Sequence, residues 1–332
     1  MKSTRYLQAL ETQIDLKRFY ESADGKAIYF ASRTGDTTPG GRDLADARSV
    51  HYDALLCLLD VGTPTYVDPR ITQALSDAMP TLPDKIPLHA DDVPMPSGFA
   101  YLDGAPWRLP PTVAGFEQSI TAIGWLTLKD GLIWVSAFGT VREPGHPSAV
   151  DHLSQVLFSE AWRVGDPIDH DGDLARELAH VGEDTSVHVK FIDHTQTARV
   201  IDVPAADVYA SEYMRRIEGR RFAYALWHFM GQRIVSLERG HLDRATRRRM
   251  PPERQDSVVQ IVELRARQVT PREPGMEEAS RQYSVRWVVR GHWRSQWYPS
   301  LDRHKPLWIS AYDKGPEGAP LRSATKLFAV VR

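Results

Sequence analysis

The chain has 332 residues, and its 41 Lys and Arg against 43 Asp and Glu give a formal net charge of −2. Hydrophobic residues make up 42% and charged residues 25%, which is globular usage and excludes a disordered or collagen-like chain. No apolar run approaches the roughly 20 residues that span a bilayer, and Asp15, Lys17 and Arg18 stand where a signal peptide is apolar. We therefore expect a cytoplasmic protein with no membrane partner.

The near-neutral total conceals two parts of opposite charge. Residues 205–332 hold 24 Lys and Arg against 14 Asp and Glu, a net of +10, whereas residues 1–204 hold 17 against 29, a net of −12. The length agrees with roughly two domains of about 150 residues each. We predict an acidic α+β domain over 1–204 and a basic helix-plus-β-sheet domain over 205–332.

The first hundred residues are predicted to be mainly helical. Apolar residues recur at helical spacing over 3–20 and again over 68–79. The apolar run 52–59 fits either a strand or a helix, and its Cys57 is expected to be a buried, unreactive thiol. Prolines then predict an irregular connection over 80–96, because proline blocks the interiors of helices and strands.

A β-hairpin is the clearest local prediction. The β-rich runs 122–128 and 132–138 are joined through Asp130–Gly131, a dipeptide that supplies the positive φ of a tight hairpin turn. Residues 151–158 are predicted as a short helix. A second strand pair is predicted at 186–192 and 198–203.

Helical spacing returns over residues 204–237, although Gly219 and Gly231 weaken the prediction of one unbroken helix. Further strands are predicted at 258–267, 284–294, 307–312 and 321–331. Strands and helices alternate without a sustained βαβ rhythm. The sequence therefore predicts an α+β fold with mixed, mainly antiparallel sheets and a central helical segment.

Residues 284–294 carry the most informative pattern. Side chains alternate across a strand, so one predicted face is apolar and aromatic and the other is basic. The first face consists of Val285, Trp287, Val289, Gly291 and Trp293. The second consists of Arg286, Val288, Arg290, His292 and Arg294.

Cations and aromatic residues continue beyond this strand, and together they suit a phosphate backbone with stacked bases. The candidate nucleic-acid-binding residues are Arg286, Arg290, His292, Arg294, Trp297, Arg303, His304 and Lys305. The basic run 244–249 adds weight to an anionic partner. The leading hypothesis is therefore a nucleic-acid-associated accessory protein that binds DNA or RNA.

Three alternatives remain open at this point. The segment is also compatible with an amphipathic hairpin whose Trp residues lie in the core and whose Arg residues are solvated or paired with the acidic part. A protein–protein or oligomerisation module would join the acidic and basic parts through charge complementarity. A metal-independent nuclease or toxin would use His292 as its catalytic acid or base.

No metal site or cofactor is predicted. Residues 169–173 depart from the calcium-loop pattern. Residues 35–42 lack the Lys and Ser/Thr of a phosphate loop. His188 and His194 are too far apart in an extended strand to share a zinc ion. Dinucleotide, esterase and metalloprotease motifs are absent from the sequence. These absences favour a binding protein over an enzyme.

The C-terminal third contains a distinctive set of residues: Arg290–Gly291–His292–Trp293–Arg294, Gln296–Trp297–Tyr298–Pro299–Ser300, His304, Pro306, Trp308–Ile309 and Lys314–Gly315–Pro316. In these residues the chain resembles an uncharacterised family of proteins from actinobacteria and their phages or plasmids. The likeness covers roughly residues 220–332. It implies a mobile element or its host as the context, and it assigns no activity and no catalytic residue.

Overall fold

The computed structural model of the protein describes residues 5–31, 43–83, 86–104, 107–142, 150–167, 186–192, 198–232, 235–264, 284–316 and 318–321. The chain forms two compact units, Met1–Leu264 and Arg265–Arg332. The first unit has a net charge of −9 and the second of +7. The units thus divide after residue 264, whereas the charge-based prediction divides the chain after residue 204.

An eight-stranded sheet forms the centre of the first unit, in the order β6-β5-β4-β2-β1-β10-β9 with β3 beside β4. Strands β7 and β8 form a separate antiparallel pair. The strands are β1 Thr63–Val67, β2 Ser97–Leu102, β3 Trp107–Leu109, β4 Glu117–Thr127, β5 Leu132–Arg142, β6 Val150–Arg163, β7 Ser186–Ile192, β8 Ala198–Pro204, β9 Val235–His241 and β10 Val258–Leu264. Among the described strands of this sheet, only β1 pairs in parallel, with β2 and β10. The predicted mixed, mainly antiparallel α+β fold is therefore confirmed.

Helices cover both faces of this sheet. They are α1 Leu7–Glu21, α2 Ala23–Ala31, α3 Asp43–Val61, α4 Pro69–Ala78, α5 Ala205–Met230 and α6 Arg244–Arg249. Adjacent residues of β4 point to opposite faces. A Cβ on Gly124 would lie 2.3 Å from Leu58 of α3, while the ring of Trp125 lies 5.8 Å from that of Trp227 of α5. The sheet is therefore packed between α3 and α5.

The central helix α5 is buried on all sides over its last ten residues, 221–230. Trp227 packs between Trp125 and Trp162. On another side, Arg221 Nη2 donates to the Leu82 carbonyl at 2.7 Å. Eight of these ten residues are apolar, and a helix that is apolar around most of its circumference belongs in a core. The predicted central helix is confirmed, but it ends at Met230, and residues 235–241 form β9 instead of continuing the helix.

Other local predictions divide between confirmed and wrong. The hairpin is confirmed as β4–β5, although only Gly131 of its Asp-Gly pair has a positive φ, +71°. Residues 151–158 belong to strand β6, so the predicted short helix is wrong. Cys57 lies in α3 and is exposed, so its predicted burial is also wrong. Residues 322–331 of the strand predicted at 321–331 lie outside the described residues.

The second unit contains two antiparallel strand pairs, β11–β14 and β12–β13. These strands are β11 Trp287–Val289, β12 His292–Tyr298, β13 Arg303–Ile309 and β14 Tyr312–Lys314. The predicted continuous strand 284–294 is thus broken at Arg290–Gly291. Within the described part of this unit, Trp308 is the only fully buried residue, with 4% of its surface exposed.

Candidate nucleic-acid interface

Strands β12 and β13 form a seven-pair antiparallel ladder, which we call the basic hairpin (residues 292–309). Arg294 lies opposite Leu307, Gln296 opposite Lys305, and Tyr298 opposite Arg303. Directly opposed residues point to the same side of a sheet. The register therefore gathers one group of residues on what we call the cationic face: His292, Arg294, Gln296, Tyr298, Arg303, Lys305, Leu307 and Ile309.

The cations of this face are regularly spaced. Arg303 and Lys305 are two residues apart on one strand, a separation of about 7 Å at ~3.4 Å per residue. Arg294 is the diagonal neighbour of Lys305, and such neighbours are about 7–8 Å apart. Three cations therefore follow one another at similar steps, and the hairpin has a single acidic residue, Asp302, in its turn.

The opposite side of the hairpin is aromatic. Trp293 and Trp308 pack with ring centroids 5.5 Å apart, and Trp297 and His304 with centroids 5.0 Å apart. A Cβ on Gly291 would lie 2.4 Å from the Trp308 ring, so the glycine permits this indole to approach the backbone. Trp308 is buried, whereas Trp297 is 43% exposed. One indole thus anchors the hairpin and the other is presented to solvent.

The cationic face is open at one end and half-buried at the other. Arg294 and His292 are exposed, whereas Arg303 and Lys305 are partly buried. In the part of the chain that the structure describes, Arg294 has no ion-pair partner. The Nδ1 atom of His292 lies 3.1 Å from the Arg290 carbonyl oxygen. An anion can therefore approach Arg294 without displacing a protein carboxylate.

Four of the eight sequence-predicted residues do not belong to this face. Arg286 Nε donates to the Ala319 carbonyl at 2.9 Å, and Arg286 Nη1 lies 3.9 Å from Asp313. This arginine therefore holds the segment after β14 against β11. Arg290 is exposed in the break between β11 and β12. Trp297 and His304 lie on the aromatic side of the hairpin.

Gln296 and Tyr298 share the cationic face but were not among the predicted residues. Alternation from His292 identifies them once the start of β12 is known. Of the two histidines considered as zinc ligands, His188 hydrogen-bonds Asp202 across β7 and β8. The other, His194, and the calcium-loop candidate 169–173 lie outside the described residues. The described residues contain no group of three His, Cys, Asp or Glu side chains that could hold a metal ion.

The fold and the hairpin together define an α+β protein whose smaller, positively charged unit presents a cation-bearing β-ribbon. The sequence matches no protein-family model, and a comparison with curated proteins finds no match. Across the described ranges, no helix is both long enough and apolar enough to cross a membrane.

Proposed function

We propose that the protein binds single-stranded nucleic acid, with phosphates held on the cationic face of the basic hairpin. The observation that carries this proposal is the row of Arg294, Lys305 and Arg303 at steps of about 7 Å on one face. Grooves that bind single strands combine tracked cations with aromatic platforms. The exposed indole of Trp297 lies on the opposite, aromatic side of the hairpin near its turn, where a base of a strand that passes around the hairpin edge can stack on it.

This activity is that of a nucleic-acid-associated accessory protein. The resemblance of residues 220–332 to actinobacterial and phage-associated proteins supports a mobile element or its host as the setting. Binding through phosphates is sequence-independent and falls with salt, because each neutralised phosphate releases condensed counterions. Stacking on Trp297 is also tolerant of sequence, since every base has a π-face. We therefore expect weak discrimination between sequences.

Salt-dependent binding of a labelled oligothymidylate, followed by fluorescence anisotropy, tests the proposal. We compare the native protein with the double variant Arg294→Gln/Lys305→Gln. Each lost phosphate contact reduces the slope of log affinity against log salt by about 0.7 for single strands. The variant should therefore show a slope shallower by about 1.4.

The matched control is Arg108→Gln/Arg163→Gln, which removes the same charge from two exposed arginines of the first unit. This control should keep the native slope. Equal slopes for the native protein and the hairpin variant would overturn the assignment of the cationic face. Absence of native binding at about 50 mM salt, where the electrostatic contribution is large, would overturn nucleic-acid binding itself.

A further inference from the structure

Helix α6 places three arginines on one exposed face of the first unit. At 3.6 residues per turn, Arg244, Arg247 and Arg248 fall within an arc of about 100°. All three are exposed. Thr246, on the opposite side of the helix, is only 2% exposed. The helix is therefore anchored by one side and presents its arginines from the other.

The anchored side is fixed by hydrogen bonds. Asp243 caps the helix by accepting from the Thr246 backbone N–H at 2.8 Å and from the Thr246 hydroxyl at 3.1 Å. These bonds, together with the Arg249 charge, lower the pKa of Asp243. The fourth arginine, Arg249, lines a cleft of about 300 Å³ that also contains Glu11 and Asp15 of α1. Acidic side chains thus accompany Arg249 but not the three outward arginines.

The outward arginines are uncompensated in the described ranges, where Arg244, Arg247 and Arg248 form no ion pair with a protein carboxylate. Like charges three and four residues apart on a helix repel one another and destabilise it. A cation in the first turn, as at Arg244, also opposes the helix dipole, whereas Arg247 and Arg248 lie in the last turn, where the dipole favours a cation. The first unit has a net charge of −9, so this concentration of positive charge runs against the unit's own balance.

We infer that the Arg244–Arg247–Arg248 face is a second phosphate-binding surface, which engages the same single strand as the basic hairpin. This inference rests on the proposed function. Guanidinium groups bind phosphate with directed, charge-assisted hydrogen bonds. Because both surfaces belong to one chain, binding at one raises the effective concentration of the strand at the other. A long strand therefore gains affinity that a short strand cannot.

The experiment compares oligothymidylates of about 10 and about 40 nucleotides, the shorter within the usual size of one single-strand site. The native full-length chain should bind the longer strand at least about a hundredfold more tightly, which is the range that two linked contacts produce and exceeds the gain from the larger number of binding positions on the longer strand. The variant Arg244→Gln/Arg247→Gln/Arg248→Gln should bind the short strand like the native protein and lose this gain. Arg108→Gln/Lys129→Gln/Arg163→Gln, three other exposed cations of the first unit, serves as the matched control.

The outcomes separate this inference from the proposed function. If the α6 variant keeps the full length-dependent gain while the hairpin variant loses affinity, the second surface is refuted and the hairpin assignment stands. If the matched control loses the gain as well, the effect is one of total charge and the inference is refuted. If the native protein binds neither oligonucleotide, both proposals fail. Circular dichroism and thermal unfolding verify that each variant is folded.

Discussion

Replacing Trp308 by alanine removes the only buried residue in the described part of the second unit. The Trp308 indole is 4% exposed, and its ring centroid lies 5.5 Å from that of Trp293. It also covers Gly291, where a Cβ would lie 2.4 Å from the ring. The substitution therefore removes the contact that joins β12, β13 and the preceding break.

The magnitude follows from this burial. Truncating a buried Trp to Ala costs about 3–5 kcal/mol, because apolar burial is lost and a cavity remains. A two-stranded ribbon is only marginally stable in water. The loss is therefore larger than the stability that the rest of the hairpin supplies, and Trp308→Ala should unfold the basic hairpin. The first unit has its own core around Leu55, Phe99 and Phe138 and should remain folded.

Hydrogen exchange measured by mass spectrometry reports on each strand pair separately. Amides of β12 and β13 should lose protection in Trp308→Ala, while those of β4 and β5 should exchange as in the native protein. Trp297→Ala is the matched control, since it truncates an indole on the same side of the hairpin that is 43% exposed. That control should retain protection and lose nucleic-acid affinity by about 1–3 kcal/mol for one stacked base.

Unchanged protection of β12 and β13 in Trp308→Ala would refute the reasoning, because the hairpin would then not depend on its one buried indole. Equal loss of protection in both tryptophan variants would refute the distinction between an anchoring and a presented indole. Loss of protection in β4 and β5 would show that the two cores are not independent.

Two further predictions concern ionisable groups of the first unit. Burial raises the pKa of Glu218 more than the nearby Arg221 lowers it, so the folded protein is stabilised in acid and loses this stability as pH rises through the Glu218 pKa. Glu218→Gln should therefore raise the urea midpoint of unfolding at pH 7. A gain that persists in strong acid, where Glu218 is protonated in both states, would contradict the argument. The hydrogen bond from Lys17 to Asp60, 2.6 Å long, lowers the pKa of Asp60. Asp60→Asn should therefore lower the free energy of unfolding at pH 7 by about 0.2–1 kcal/mol, as expected for a half-exposed ion pair. The difference between the variant and the native protein should vanish as pH falls through the Asp60 pKa. An equal loss at every pH would exclude the ion pair as its cause.

Sequence periodicity predicted helices α1, α4 and α5 and the β4–β5 and β7–β8 hairpins, but it failed where a bulge mimics a helix. Val156 lies opposite Phe138 and Phe158 opposite Ala137, so Leu157 is an extra residue in β6. A bulge breaks the alternation of apolar and polar residues along a strand. In this sequence Leu153, Val156 and Leu157 are three and four residues apart, which is the spacing of a helix. The predicted burial of Cys57 was wrong because an apolar run does not show which side of a helix faces the core. The run 52–59 turns towards the core through Leu55, Leu58 and Leu59, which leaves the cysteine on the outer side of α3.

The candidate site was predicted in composition but not in arrangement. Alternation correctly separates Arg294 from Trp293 and Trp297, because that separation is local to β12. The division of β13, with Lys305 on the cationic face and His304 on the aromatic side, depends on the register Gln296↔Lys305. Register is set by the turn and by pairing across the hairpin. The break at Arg290–Gly291, which removes Arg286 from the face, lies against the ring of Trp308, a contact between residues 17 positions apart that local alternation does not reveal.

The position of β1 in the sheet also constrains how the chain folds during synthesis. Strand β1 pairs in parallel with β10, so that Thr65 lies opposite Gln260, and most of the chain separates the two strands. Contacts between such distant segments form slowly, because a long loop must close first. One edge of β1 therefore stays unpaired on the ribosome until β10 has emerged. The nascent chain therefore has an unpaired strand edge for most of its translation. Chaperones protect partly folded chains of this kind from aggregation.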